Sequence, residues 1–127
     1  MAGQTPLETV RQLVDAINGG HVQNALSLYE SQGVMVSEPG RLAVGTDALR
    51  NALAGFIALK PTLRIQSHQL IETGDIALYC SSWHLSGTGP DGSAVEMDGK
   101  SSDVLRRQGD GRWLIAIDNP WGTGILG

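Results

Sequence analysis

The sequence predicts an α+β fold, a curved antiparallel sheet with three helices from the N-terminal half packed on its concave face. Three observations carry that expectation. Apolar residues recur at helical spacing before Pro61 and at strand-like spacing after it. Four long strand candidates then follow one another with only short turns between them, as consecutive antiparallel strands do. Two of those turns, Pro90-Asp91-Gly92 and Gly109-Asp110-Gly111, share the chemistry of a three-residue hairpin loop. A chain of 127 residues without linker or repeat is read as one domain over 1–127.

The first helix begins at Thr5-Pro6-Leu7-Glu8, where Thr5 caps, Pro6 takes the first helical position and Glu8 completes a capping box. Leu7, Val10, Val14 and Ile17 form its apolar stripe, and Gly19-Gly20 ends it. A second helix is expected from His21 to Glu30, with Val22, Ala25, Leu26 and Tyr29 on its apolar side. Gly33 to Gly40 reads as a short strand closed by Pro39-Gly40. Thr46 is expected to cap a third helix with Asp47 in its positive first turn and Leu49, Leu53, Phe56 and Ile57 buried; Lys60-Pro61 stops it. The strand candidates are Thr62–Glu72, Asp75–Ser86, Ala94–Arg107 and Arg112–Asn119.

The hairpin loops also set a register. Gly89 opposite Ser93 places Leu85 against Met97, Trp83 against Gly99, Ser81 against Ser101 and Tyr79 against Asp103. Gln108 opposite Arg112 places Leu105 against Ile115, Asp103 against Ile117 and Ser101 against Asn119. The shared face then carries Tyr79, Trp83, Leu85, Met97, Leu105, Trp113, Ile115 and Ile117, and belongs under the helices. Ser82, His84, Glu96, Asp98, Lys100, Arg106 and Asp118 fall on the opposite face. Asp103 is the one acid on the apolar side, so it must be neutral, paired or wet.

Composition narrows the function classes. Net charge is −4 with no Lys/Arg cluster, which argues against nucleic-acid binding. The single cysteine, Cys80, excludes an intrachain disulfide. Met1 to Pro6 has neither a basic nor an apolar run, and no apolar stretch approaches the ~20 residues of a membrane helix. A cytoplasmic protein with no membrane association is expected. His21, His68 and His84 stand on different elements without metal-ligand spacing, so no metal is expected. No glycine-rich loop opens a helix to cradle a cofactor phosphate.

Tyr29-Glu30 ahead of Val34-Met35-Val36-Ser37-Glu38-Pro39, and the ending Leu105-Arg106-Arg107…Asp110-Gly111-Arg112-Trp113-Leu114-Ile115…Asp118, carry a resemblance across essentially the whole chain. The pattern resembles the SnoaL-like and ketosteroid-isomerase-like branch of the nuclear transport factor 2-like superfamily, whose fold is a cystatin-like cone. The resemblance implies a cofactor-free pocket for a small hydrophobic molecule, with isomerase-like or polyketide-cyclase-like chemistry. The same superfamily includes non-catalytic binding and assembly modules. Glu38 falls where the isomerases place their base, and Asp103 falls near their protonated oxyanion-hole acid. Leu13 stands roughly where they carry a helix tyrosine, and Tyr79 is a candidate to supply a phenol from the sheet instead. For Asp103 the competing reading is a structural acid paired with Asn119, Tyr79 or Arg107; for Glu38 it is a solvated strand end. Tyr79, Trp83, Met97 and Ile117 are candidate pocket lining, with Asn119 and Trp121 either at the rim or at a subunit contact. The resemblance also implies a homodimer through the outer sheet face, where His84, Glu96, Lys100 and Arg106 are the expected contact residues.

Overall fold

The computed structural model describes residues 3–127; Met1 and Ala2, part of the N-terminal stretch considered above, lie outside the described residues. Helix α1 (Pro6–Gly19) starts as its sequence dictates. The Thr5 hydroxyl accepts the Glu8 N–H at 3.2 Å and donates to the Glu8 carboxylate at 3.3 Å. Gly20, at φ 77°, closes it in the left-handed region.

Helix α2 (Val22–Leu26) is shorter than the periodicity suggests. Its expected last residues belong instead to strand β1 (Tyr29–Glu38), because the Leu28 carbonyl accepts the Ile115 N–H at 2.8 Å and draws the chain into the sheet. A tight turn at Pro39-Gly40 leads into a short edge strand, β2 (Arg41–Val44), that the sequence did not reveal. Helix α3 (Thr46–Ile57) is preceded by Gly45, which takes the cap position that Thr46 was expected to fill. Gly45 has φ 85°, a backbone value costly for a β-branched threonine, so Thr46 begins the helix proper.

Four long strands follow: β3 (Thr62–Thr73), β4 (Ile76–Thr88), β5 (Ala94–Arg107) and β6 (Trp113–Asp118). Both hairpin loops close as their chemistry requires. Gly89 N–H donates to Ser93 O at 2.8 Å and Gln108 N–H to Arg112 O at 2.7 Å, with Gly92 and Gly111 at positive φ. The β4–β5 register is the expected one: Leu85 opposes Met97, Trp83 Gly99, Ser81 Ser101 and Tyr79 Asp103.

The β5–β6 register holds at Leu105 and Ile115, then breaks. Val104 opposes Ile117, leaving Ala116 as an extra residue in a β-bulge. This one-residue slip exchanges faces for everything after it. Ile117, expected inside, is 44% exposed on the convex face, and Asp118, expected outside, is only 9% exposed on the concave one. Asn119 no longer opposes Ser101; its carbonyl accepts the Ser102 N–H at 2.8 Å.

The six strands run β2-β1-β6-β5-β4-β3 in an open, curved sheet with the three helices on its concave face, a cystatin-like α+β fold. All neighbours are antiparallel except β1 and β6, which are parallel, so the sheet is mixed. Those two strands are joined by most of the chain rather than by a hairpin, so no turn imposes an antiparallel sense. Leu28, Met35, Leu49, Leu53 and Leu105 fill the core between the layers.

Helix α1 is fixed across the sheet at both ends. Near its start, the buried Thr9 hydroxyl donates to the Trp113 carbonyl on β6 at 2.7 Å. At its end, the Asn18 side chain pairs with both backbone groups of Leu63 on edge strand β3, donating at 3.0 Å and accepting at 2.7 Å. That amide satisfies one residue of an edge strand that has no neighbour on this side. A short 3-10 turn (Gly122–Leu126) closes the chain beside β5.

Candidate functional site

Between the helices and the concave face lies a cavity of about 100 Å³. Its roof is apolar: Val10, Leu13, Val14 and Ile17 from α1 and Leu53 and Phe56 from α3. Leu13, at the place of the tyrosine expected from the isomerase resemblance, adds only hydrocarbon. The polar groups of the lining lie on the sheet: Tyr29, Ser81, Tyr79, Ser101, Asp103 and Asp118.

These groups form a connected chain. The Tyr29 hydroxyl donates to Asp118 Oδ2 at 2.5 Å. The carboxyls of Asp118 and Asp103 adjoin one another, close enough for the charge of Asp118 to raise Asp103. Asp103 Oδ1 also accepts the Asn119 backbone N–H at 2.8 Å, and the Ser101 hydroxyl supports the same carboxyl. Ser101 in turn shares a 2.6 Å hydroxyl contact with Ser81.

Two adjoining carboxyls withdrawn from water resist carrying two negative charges. Burial pushes the Asp103 carboxyl well above the usual carboxylate range, and the charge and hydrogen bond of Asp118 push it further. Burial also raises Asp118, while hydrogen bonds from Tyr29 and Asp103 pull it back. Repulsion between two buried carboxylates therefore favours the state in which the pair carries a single negative charge. Burial, followed by the charge of Asp118, lifts the Tyr29 hydroxyl well above the usual phenol range, so it remains a donor. Burial, with the charge of Asp103, raises Tyr79 as well.

The expected site residues divide sharply. Tyr79, Trp83 and Asp103 line the cavity. Glu38 does not: its side chain is 59% exposed and pairs with Arg41 at 3.5 Å. A register shift between Val36 and Glu38 turns it out into the β1–β2 hairpin. Met97 lies opposite Leu85 outside the lining, and Ile117 faces outward beyond the bulge. Asn119 spends its side chain on the C-terminal turn, bonding Gly122 O at 3.0 Å and the Trp121 N–H at 3.2 Å; only its backbone reaches Asp103. Trp121 packs edge-on to Trp83 at 5.7 Å and donates to Val36 O at 2.9 Å, which makes it a support for the cavity wall. Trp83 is held by a 2.7 Å bond from its indole N–H to Pro120 O.

Sequence reasoning missed Tyr29 and Asp118. Tyr29 looked like the last apolar residue of a helix, and Asp118 had the parity of an outward residue. On the convex face the imidazole of His84 sits between Asp98 at 2.6 Å and Glu96 at 2.9 Å, the Asp98 hydrogen bond foremost in raising its pKa. Among the described residues no three His, Cys, Asp or Glu side chains gather as a metal ion would need, and no helix is long and apolar enough to cross a membrane.

With this geometry established, likeness to known proteins is informative. The family model of the SnoaL-like domain matches residues 10–115. A nuclear transport factor 2-like superfamily protein from Salmonella enterica superposes with a TM-score of 0.80 at 17% identity, covering 88% of this chain and 84% of that one. A ketosteroid isomerase candidate from Shewanella frigidimarina gives 0.76 at 24% identity, covering 87% and 90%. The epoxide hydrolase/cyclase-like enzyme SalBIII, described in pyran ring formation in the polyether salinomycin, gives 0.73 at 15% identity, covering 91% and 88%. Among curated proteins no sequence matches significantly.

Proposed function

The chain belongs to the SnoaL-like domain family, and from that premise we propose that it is an isomerase- or cyclase-type enzyme acting on a small, largely apolar carbonyl compound. One observation carries the reading: two carboxyls, Asp103 and Asp118, side by side at the polar wall of an apolar cavity and both raised by burial. Like charges in contact split the two carboxyls into an acid and a base.

In the proposed reaction the Asp118 carboxylate takes a proton from the carbon next to the carbonyl. The C–H electron pair moves into the new carbon–carbon double bond, and the carbonyl π pair moves onto oxygen. The protonated Asp103 turns its single O–H from Asp118 to that oxygen. In a β,γ-unsaturated ketone, return of the proton from Asp118 to the far end of the dienolate completes an isomerisation. In a dicarbonyl compound, attack of the enolate carbon on the second carbonyl moves that π pair onto its oxygen, which takes the proton from Asp118 and completes a cyclisation. Tyr29 holds Asp118 in place, and the base role expected of Glu38 passes to Asp118. No cofactor enters these steps. The ketosteroid isomerase candidate and the cyclase-like enzyme among the structural neighbours support this class of chemistry.

The cavity's size argues for a small substrate. About 100 Å³ is comparable with a cavity of about 150 Å³ that accommodates benzene, so one ring with short substituents fits the space better than four fused rings. The test is solvent-deuterium exchange at the α-carbon of a panel of small cyclic ketones, followed by NMR. Asp103→Asn and Asp118→Asn should each slow exchange by about 10²-fold or more, with Glu38→Gln unchanged. Undiminished exchange in both aspartate variants would remove their assigned roles. The competing reading, a non-catalytic ligand-binding module, is favoured by the way protein groups already engage both carboxyls; ketone binding without exchange supports it.

A homodimer through the convex sheet face belongs to the same proposal. Ile71, Leu78, Val104, Ile117, Val34 and Val44 oppose one another in successive registers, forming an apolar row across all six strands. A second copy covering this row would bury side chains now in water.

A further inference from the structure

A second cleft, of about 330 Å³, lies between α1 and β3, and the acid–base reaction does not use it. It meets the inner cavity at Val10, Val14, Ile65 and Tyr79, which line both. Because α1 is tied to β6 at Thr9 and to β3 at Asn18, the space beneath its middle turns is held open by the framework.

Two features of the cleft are chemically pointed. The first is His68. Strand β3 carries a bulge between Ile65 and Ser67, and beyond it His68 opposes Ser81 and turns to the concave side. Unbroken alternation after Ile65 would have sent the imidazole outward. Instead it lies in the cleft, stacked on Tyr79 with ring centroids 5.7 Å apart.

The second is Arg11. Arg41, Arg50, Arg106, Arg107 and Arg112 each pair with a carboxylate. Arg11, like Arg64, pairs with none among the described residues, and of these two Arg11 lines the cleft, where Asp15 stands one turn along the same helix. The cleft thus presents an uncommitted guanidinium, a re-aimed imidazole and an apolar wall that includes Leu7 and Val14.

We propose that the α1–β3 cleft is a binding site for a small organic monocarboxylate. The forked guanidinium of Arg11 takes the carboxylate, and His68 supplies a further donor. The hydrocarbon body lies against Leu7 and Val14. Asp15, facing the same space, selects against a second negative charge. The site is separate from the carboxyl pair and does not depend on any reaction there.

The experiment is a titration of the full-length protein with benzoate, and with benzyl alcohol as its uncharged counterpart, by amide NMR and calorimetry. Benzoate should shift the amides of α1 and those around His68 saturably at about millimolar concentration or below. Benzyl alcohol and the Arg11→Gln variant should each show binding weaker by about tenfold; Asp103→Asn should bind benzoate as the parent does. Arg11 is exposed, so its substitution leaves the fold intact, which the spectrum of the unliganded variant checks. Equal affinity for the alcohol, an Arg11→Gln variant that binds undiminished, shifts confined to Tyr29, Asp103 and Asp118, or no saturable shift would each overturn the proposal.

Discussion

The fold buries Asp118 and withdraws Asp103 in part from water, and the cost of doing so appears as a pH dependence. Both are displaced upward from 3.8, chiefly by burial. Above that value the folded chain therefore binds more protons than the unfolded chain, and stability falls as pH rises. The pair's contribution is complete below the ordinary aspartate range and is lost as pH climbs through the raised folded values. Each pKa unit of displacement corresponds to about 1.4 kcal/mol. Asp103→Asn keeps the shape and removes the titration. Urea unfolding of this variant should show a shallower decline with pH above 3.8 than the parent, and greater stability at the alkaline end. Parallel pH profiles for the two proteins would contradict the upward displacement of Asp103. The same residues mark the limit of sequence reading. Asp103 was legible as an acid on an apolar face because hairpin register alone put it there. Of its partners Asn119 was legible, though it bonds through its backbone; Asp118, and Tyr29 behind it, arrive through pairings no local pattern encodes.

At the scale of elements, the β4–β5 hairpin holds the cavity's aromatic wall, and one glycine makes this possible. Trp83 lies across Gly99 on the neighbouring strand, where an added Cβ would fall 2.4 Å from the indole ring. The indole cannot retreat freely, since its N–H is bonded to Pro120 O and its edge packs on Trp121. Gly99→Ala should therefore destabilise the protein by about 1–3 kcal/mol. Urea unfolding measures that cost, and a shift in tryptophan emission reports the displaced ring; an unchanged emission spectrum would mean that Trp83 does not depend on this contact. The bulges in β3 and β6 act in the opposite manner, by re-aiming residues rather than making room. One brings His68 to the α1–β3 cleft, and the other brings Asp118 to Asp103. Both were invisible in the apolar pattern, because alternation is read by parity and a bulge changes parity without changing composition.

At the scale of the molecule, the β6 bulge has a second consequence on the far side of the sheet. By turning Asp118 inward it turns Ile117 outward, to the middle of the convex apolar row. The proposed dimer can be tested there with little risk to folding, because Ile117 is already exposed. Light scattering at micromolar concentration should give about twice the 13.4 kDa chain mass for the parent, as a closed two-fold pair requires. Ile117→Lys should give the monomer; a monomeric parent would reject the interface.

The sequence by itself determined the α+β class, the capped first helix, the two hairpins and the β4–β5 register, and hence the inward placement of Tyr79, Trp83 and Asp103. Those features follow from dihedral preferences and side-chain parity that act within a few residues of each turn. Only the tertiary structure decided that β1 runs parallel to β6, that Glu38 leaves the cavity, and that Tyr29 and Asp118 complete the polar wall. Those outcomes depend on where strands distant in sequence meet and where a bulge resets parity. That choice is made by packing across the whole sheet, and no short stretch of the chain contains it.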